Sequence, residues 1–278
     1  ARAMRIPVTT LNDGYDFPLL GLGTYKLDPE ETEKIVRTAI ELGYRHIDTA
    51  SFYGNEVEVG KAINGAIAAG DVTREELFVT TKLWNDDQER VGEAYEESLR
   101  RLDLEFLDLY LVHWPWPQHG TYVQAFEQIT QLQGMGRLQS AGVANFYPEV
   151  LDEIIEATGV TPVLNQVELH AGFTQPELRE YHTKHGIVTE AWAPLARGEN
   201  FDAPEIQAVA DAHSATPAQV SLAYLLKLGC SVVPKTANPQ RLVENLGAVD
   251  VELTDEDVAL LDRVAGERLS GDPQTFPG

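Results

Sequence analysis

The stretch that decides the fold is Asp28-Pro29-Glu30-Glu31-Thr32-Glu33-Lys34-Ile35-Val36-Arg37-Thr38-Ala39-Ile40-Glu41-Leu42-Gly43-Tyr44-Arg45-His46-Ile47-Asp48. Asp28 is a good N-cap, Pro29 suits the first helical position, and Glu31 stands where a capping box places its acid. Ile35, Val36, Ala39, Ile40 and Leu42 then form an apolar stripe at helical spacing, and Gly43 ends it. Three residues later comes His46–Asp48, a short run that suits a strand buried on both faces. The unit is a helix followed by a buried strand.

That unit recurs. Apolar runs lie at Leu19–Gly23, His46–Asp48, Leu77–Lys82, Leu107–Val112, Leu138–Val143, Val163–Leu169, Ile187–Trp192 and Ser231–Pro234. Helical stripes lie at Arg90–Leu102, Thr121–Met135, Pro148–Ala157, Gln175–Lys184, Pro217–Lys227 and Thr254–Val264, the last with Thr254 as N-cap. The long gap from Trp192 to Ser231 predicts a loop and more than one helix. Strands alternating with helices imply an α/β fold with a parallel sheet, either doubly wound or closed. Eight runs in 278 residues favour the closed (β/α)8 TIM-type barrel, as a single domain over residues 1–278. Asn12-Asp13-Gly14 within Thr9–Pro18 reads as a β-hairpin that plugs the barrel bottom.

Composition narrows the function. With 44 acidic and 21 basic residues the net charge is −23, which repels nucleic acid and anionic membranes. Self-repulsion also favours a monomer. Cys230 is the one cysteine, so no internal disulfide forms, and a reducing, cytoplasmic setting is expected. No apolar run reaches the ~20 residues of a membrane helix. Ala1–Val8 lacks the apolar core of a secretory signal. The seven histidines show no metal-binding spacing, so no metal is expected.

Barrels of this kind carry their chemistry at the C-terminal ends of the strands. Asp48 ends the second run, Lys82 the third, His113 follows the fourth, and Tyr53 lies in the loop after Asp48. Taken singly, each has an ordinary reading as a cap, a solvated charge, a structural imidazole or a packing ring. Together they form a proton donor aimed at a carbonyl. Lys82 is expected to lower the Tyr53 pKa, Asp48 to hold Lys82, and His113 to orient the carbonyl oxygen. Such a donor needs a hydride partner, hence a nicotinamide cofactor. The dinucleotide fingerprint is absent, and Gly21-x-Gly23 argues only for a tight turn. Lys235, Thr236 and Arg241 at a strand-to-helix junction suit a phosphate, with a surface ion pair to Glu244 as the ordinary alternative. Trp84, Trp114, Trp116 and Trp192 each lie at or beyond a strand end, as pocket-lining aromatics would.

These residues also carry a family resemblance. Gly43-Tyr44-Arg45-His46-Ile47-Asp48-Thr49-Ala50 with Tyr53-Gly54-Asn55-Glu56 and Gly60 resembles the first signature of the aldo-keto reductases. Lys82-Leu83-Trp84, Leu111–Pro115, Asn165–His170 and Val233-Pro234-Lys235-Thr236 with Arg241, Glu244 and Asn245 are similar to further blocks. The resemblance runs from Val8 to Val264. It is strongest to the bacterial branch of diketogluconate reductases and prostaglandin F synthase-like enzymes.

The resemblance implies NADPH-dependent reduction of aldehydes, ketones or diketones, with NADH disfavoured. It implies Tyr53 as general acid, with Asp48, Lys82 and His113 completing the catalytic set. Trp192 would stack on the nicotinamide, and Asn145 and Gln166 would hold its carboxamide. Gly23 and Thr24 would approach the nicotinamide ribose, and Leu195 the pyrophosphate. Lys235, Thr236 and Arg241 would hold the 2′-phosphate, and Glu244 and Asn245 the adenine. Tyr25, Phe52, Trp84, His113 and Trp114 would line the substrate pocket.

Two departures stand out. Ala144 replaces the usual serine before Asn145, and Asn238-Pro239 stands where some relatives carry arginines. The short tail Arg268–Gly278 predicts an open pocket. Two rival readings are a non-catalytic nicotinamide-binding regulatory protein and a Schiff-base aldolase using Lys82.

Overall fold

The computed structural model describes residues 5–277. The reading of Ala1–Val8 therefore lies in part outside the described residues, as does Gly278 at the end of the tail. A hairpin opens the fold, with β1 (Val8–Thr10) antiparallel to β2 (Asp16–Pro18). Eight parallel strands follow: β3 (Leu22–Gly23), β4 (His46–Asp48), β5 (Phe78–Leu83), β6 (Leu107–Val112), β7 (Leu138–Ala144), β8 (Leu164–Glu168), β9 (Val188–Trp192) and β10 (Ser231–Val232). Each pairs with the next in chain order. The first and last meet through Gly21 N to Val232 O at 2.9 Å, Val232 N to Leu19 O at 2.8 Å and Gly23 N to Pro234 O at 3.1 Å. The sheet therefore closes into the (β/α)8 barrel that the eight runs predict.

The helices are α1 (Pro29–Leu42), α2 (Glu56–Ala68), α3 (Val91–Leu102), α4 (Tyr122–Gly134), α5 (Pro148–Thr158), α6 (Pro176–His185), α7 (Pro204–His213), α8 (Pro217–Lys227), α9 (Pro239–Leu246) and α10 (Asp255–Leu261). Among the described residues none is long and apolar enough to cross a membrane. The long gap holds α7 and α8, as expected. Thr254 caps α10 by accepting from Asp257 N at 3.1 Å. Asp28 occupies the N-cap position of α1, but its side chain accepts no capping bond.

Helix α2 has no counterpart among the expected stripes. Its valines alternate, and its buried face carries Gly60, Ala62 and Ala66 with Val59 and Ile63, so large apolar residues are too few to mark a stripe. The structure explains the small residues. A Cβ on Gly60 would lie 2.1 Å from Leu102 O at the end of α3, so the two helices meet backbone to backbone.

The hairpin closes the bottom of the barrel. Its Leu11 and Phe17 are buried with Phe78, Leu109, Leu111, Val163 and Leu164, and the Phe17 ring stands edge-on to Phe78 at 4.9 Å. Burying one such ring contributes roughly 2–3 kcal/mol. Asp13 Oδ2 accepts from Ser140 Oγ at 2.6 Å, and Asn12 Nδ2 donates to Pro162 O at 3.1 Å. Gly21 and Gly23 serve no tight turn. A Cβ on Gly21 would fall 2.5 Å from His46 Nδ1, and one on Gly23 would fall 2.7 Å from Val233 O. Both glycines let the first strand approach its neighbours closely enough to close the barrel.

Candidate active site

Strand ends place the reactive groups on one face. Lys82, on β5, is fully buried, and its ammonium donates to Asp48 Oδ2 at 2.8 Å, Thr49 O at 3.0 Å and Tyr53 Oη at 3.1 Å. All three of its hydrogens are thus committed. Burial alone would pull the ammonium pKa down, but Asp48 and Tyr53 together outweigh it, and Lys82 ends above its ordinary value. The expected lowering of the Tyr53 pKa is not the net result. Burial raises it, Lys82 opposes that, Asp48 adds to it, and the phenol ends above its usual value. It is therefore fully protonated at neutral pH.

His113 follows β6, its ring 5.8 Å from that of Tyr53 and nearly perpendicular to it. Burial first, and then Lys82, lower its pKa far below the ordinary imidazole value, so it is neutral. Its Nδ1 is buried without a partner among the described residues. Phe52 stacks on Trp84 at 3.8 Å, Trp84 stands 5.3 Å from His113, and Tyr25 lies 5.2 Å from Tyr53. Trp114 lies 6.4 Å from Trp192. These rings, linked through His113, form one aromatic box that includes Tyr53. Trp116 is outside it and stacks on His119 at 4.0 Å.

The tail reaches one side of this box, while Phe52 and Tyr25 remain exposed. Phe276 stacks on Trp114 at 4.1 Å, and Gln118 Nε2 donates to Gln274 O at 2.8 Å. The tail is anchored at its root, where Glu168 accepts from Leu269 N at 2.6 Å and Ser270 N at 3.1 Å.

Beside the box, Asn145 adopts a left-handed backbone with φ of 63°, which asparagine tolerates better than most residues. Its Oδ1 accepts from Trp192 Nε1 at 2.9 Å, and its Nδ2 donates to His113 O at 2.9 Å. Gln166 donates from Nε2 to Asp48 and to Glu190, both at 2.8 Å. Thr24 Oγ1 donates to Asp48 O at 3.0 Å. Leu195 sits in the loop after β9, where Ala193, Ala196 and Arg197 all have positive φ. Strain of that kind persists only where the surroundings impose it.

Farther out, Lys235 and Arg241 are exposed at the entrance to α9. Neither forms an ion pair among the described residues, so the alternative pairing with Glu244 does not occur. Thr236 Oγ1 accepts from Asn238 N at 3.0 Å, and the Asn238 side chain caps α9. Asn245 is buried and Glu244 half-buried on the same helix. His46, Asp48 and Glu190 bring possible ligand atoms within 4.8 Å of one another. There Asp48 already accepts from Lys82 and Gln166, and Glu190 from Gln166 and Ser231.

The profile of the aldo/keto reductase family matches residues 19–265. The chain belongs to the aldo/keto reductase family. An aldo-keto reductase of Mycolicibacterium smegmatis is 45% identical over 273 residues, covering 97% of this chain and 98% of its own. The methylglyoxal reductase DkgA of Escherichia coli is 44% identical over 276 residues, covering 98% of each. Among solved structures, a Gox0644 mutant in complex with NADPH superposes with a TM-score of 0.92 at 43% identity, covering 97% of this chain and 98% of that one. Carbonyl oxidoreduction is the reaction class of this aldo/keto reductase.

Three groups of this aldo/keto reductase site were not singled out from sequence. Glu190 is an acid inside the buried run of β9, and that misfit is itself a signal. Glu168 stands inside the Asn165–His170 block, but its tail partners lie about a hundred residues on. Phe276 gives no local sign, because its place depends on how the tail crosses the barrel mouth.

Proposed function

We propose that this chain reduces aldehydes, ketones and diketones to alcohols with NADPH. Two observations support the fit of that cofactor. Gln166 Oε1 has no partner among the described residues, which suits a carboxamide N–H. Lys235 and Arg241 are exposed cations beside a helix start in a chain of net charge −23, which suits a phosphate. Bound there, NADPH supplies a hydride from nicotinamide C4.

In this reading Lys235, Thr236 and Arg241 hold the 2′-phosphate, and Glu244 and Asn245 flank the adenine. Leu195 packs beside the pyrophosphate, and Gly23 and Thr24 beside the nicotinamide ribose. Trp192 stacks on the nicotinamide ring, while Asn145 and Gln166 hold its carboxamide. Tyr25, Phe52, Trp84 and Trp114 exclude water around the substrate. His113, neutral, donates from Nε2 to the carbonyl oxygen and orients it.

Tyr53 then gives its proton to that oxygen as the alcohol forms. The observation that carries this is the Lys82 ammonium, bound to Asp48 Oδ2 at 2.8 Å and to Tyr53 Oη at 3.1 Å. A phenol above its usual pKa keeps its proton until charge develops on the substrate. The phenolate that remains is stabilised by the fixed charge of Lys82. The same three hydrogen bonds make Lys82 a poor Schiff-base nucleophile.

We take residues 1–278 as one domain, a monomer acting on small molecules in the cytoplasm. The test is NADPH consumption with methylglyoxal, a vicinal diketone, an aromatic aldehyde and a diketo sugar acid. Tyr53→Phe abolishes turnover and spares NADPH binding. Near-normal turnover in that variant refutes the mechanism. NADPH binding without turnover in the unaltered protein favours the regulatory alternative.

A further inference from the structure

Linked to the Lys82–Asp48 pair through Gln166 is a carboxyl group that the mechanism above does not use. Glu190 is at the middle of β9 with no exposed surface. Its Oε1 accepts from Gln166 Nε2 at 2.8 Å, and its Oε2 accepts from Ser231 Oγ at 2.9 Å. Gln166 Nε2 donates its other hydrogen to Asp48 Oδ1 at 2.8 Å. A primary amide nitrogen has two hydrogens, and here carboxyl oxygens from two different strands take both. A flipped amide would set Gln166 Oε1 against those oxygens.

We propose that Glu190 is a positioning residue. Together with Asp48 it locks the Gln166 amide so that Oε1 is the acceptor offered to the nicotinamide carboxamide. This rests on the cofactor reading above.

The electrostatics agree with that geometry. Burial, and then Asp48, raise the Glu190 carboxyl above its ordinary range, which favours the neutral acid. With that proton on Oε2, facing Ser231 Oγ at 2.9 Å, the carbonyl oxygen Oε1 still accepts from Gln166 Nε2, and Glu190 adds no second negative charge to compete with Asp48 for Lys82. Its Oε2 is 3.9 Å from His46 Nδ1, a buried nitrogen with no hydrogen-bond partner among the described residues.

The experiment compares Glu190→Met, Glu190→Thr and Glu190→Gln in the full chain. Binding is measured for NADPH and for adenosine 2′,5′-bisphosphate, which carries no nicotinamide. In Met and Thr the NADPH Kd rises by about tenfold, as expected for one lost hydrogen bond that fixes a buried amide. The bisphosphate affinity is unchanged. Glu190→Gln keeps an acceptor oxygen in place and recovers most of the NADPH affinity.

Thr is shorter than Glu and cannot reach Gln166, so it carries the test if the Met variant does not fold. Unchanged NADPH affinity in either folded variant overturns the proposal. So does an equal loss of both ligands with a lower melting point, which is the mark of a merely structural role. Failure of the unaltered protein to bind NADPH overturns the cofactor reading instead, and the proposal with it.

Discussion

Replacing Glu168 by alanine releases the C-terminal tail while leaving Tyr53, Lys82 and His113 in place. Glu168 ends β8 and is 1% exposed. Its carboxylate accepts from Leu269 N at 2.6 Å, Ser270 N at 3.1 Å and His170 Nε2 at 2.9 Å. Hydrogen bonds to a charged acceptor contribute about 1.5 kcal/mol each at the low end, so the two tail bonds together hold about 3 kcal/mol. That corresponds to a ~10²-fold rise in the population of the released tail.

One contact just upstream persists: Gly172 and Gly266 meet backbone to backbone. Opening is therefore confined to the chain beyond Gly266, and the Arg268 guanidinium, 4.8 Å over the Phe173 ring, comes free with it. Dilute trypsin reads it directly, since cleavage after Arg268 follows the open fraction when reclosing is fast. The variant is cut there roughly a hundredfold faster, with other sites unaffected. Cleavage at the unaltered rate, or uniform acceleration along the chain, refutes the reasoning.

The same anchor has a pH signature. Burial raises the Glu168 pKa, but His170 and the two tail N–H groups pull it further down, and it ends below the ordinary glutamate value. A depressed folded pKa means the anchor is fully present above the unfolded pKa. It is lost as the pH falls through the folded one. Tail release in the unaltered protein is therefore an acid event well below neutrality.

Three further outcomes are expected. Ala144→Ser restores a hydroxyl beside Asn145 and tightens NADPH by about 0.5–1.5 kcal/mol, or two- to tenfold; an unchanged Kd sinks it. The double variant Lys235→Ala, Arg241→Ala weakens NADPH by at least about tenfold and leaves NADH affinity unaltered, since each charge-assisted phosphate contact contributes about 1.5 kcal/mol or more. Equal losses for both cofactors would contradict it. His182 is buried between Asn165 Nδ2 at 3.0 Å and Thr189 Oγ1 at 2.6 Å, and burial lowers its pKa to about 3. Below pH ~6.5 the unfolded chain takes up a proton that the native state refuses, so stability falls with pH, by ~2 kcal/mol at pH 5. Urea midpoints of His182→Gln between pH 8 and pH 5 should fall less than those of the unaltered chain.

What the sequence made legible follows from what each residue needs locally. Strands β4 to β9 are buried on both faces, so each is written as an apolar run, and each lies within one residue of its expected ends. The hairpin announced itself through Asp13-Gly14, where Gly14 has a φ of 94°. Helix α2 was hidden because its packing needs absence: Gly60 carries meaning only once Leu102 is known to press against it. Gly21 and Gly23 likewise looked like turn residues, because the neighbour that forbids a side chain comes from another strand.

The active face shows the same division more sharply. That Asp48, Tyr53, Lys82 and His113 converge was readable, since four reactive residues followed strand runs in one barrel. The direction of the Tyr53 pKa was not, because burial against Tyr25 and its neighbours is a property of the packed box and outweighs the Lys82 charge. This reversal suits the proposed proton transfer better than the expectation did. A phenol pulled down toward neutrality would spend part of its time without the proton that it must deliver. A phenol kept high by burial, with Lys82 already bound to its oxygen, holds the proton in the ground state. It meets a fixed positive charge only as the proton leaves. In the proposed mechanism Lys82 therefore acts less by making Tyr53 acidic beforehand than by stabilising what Tyr53 becomes, and the Asp48 contact that keeps the ammonium aimed is part of the same device.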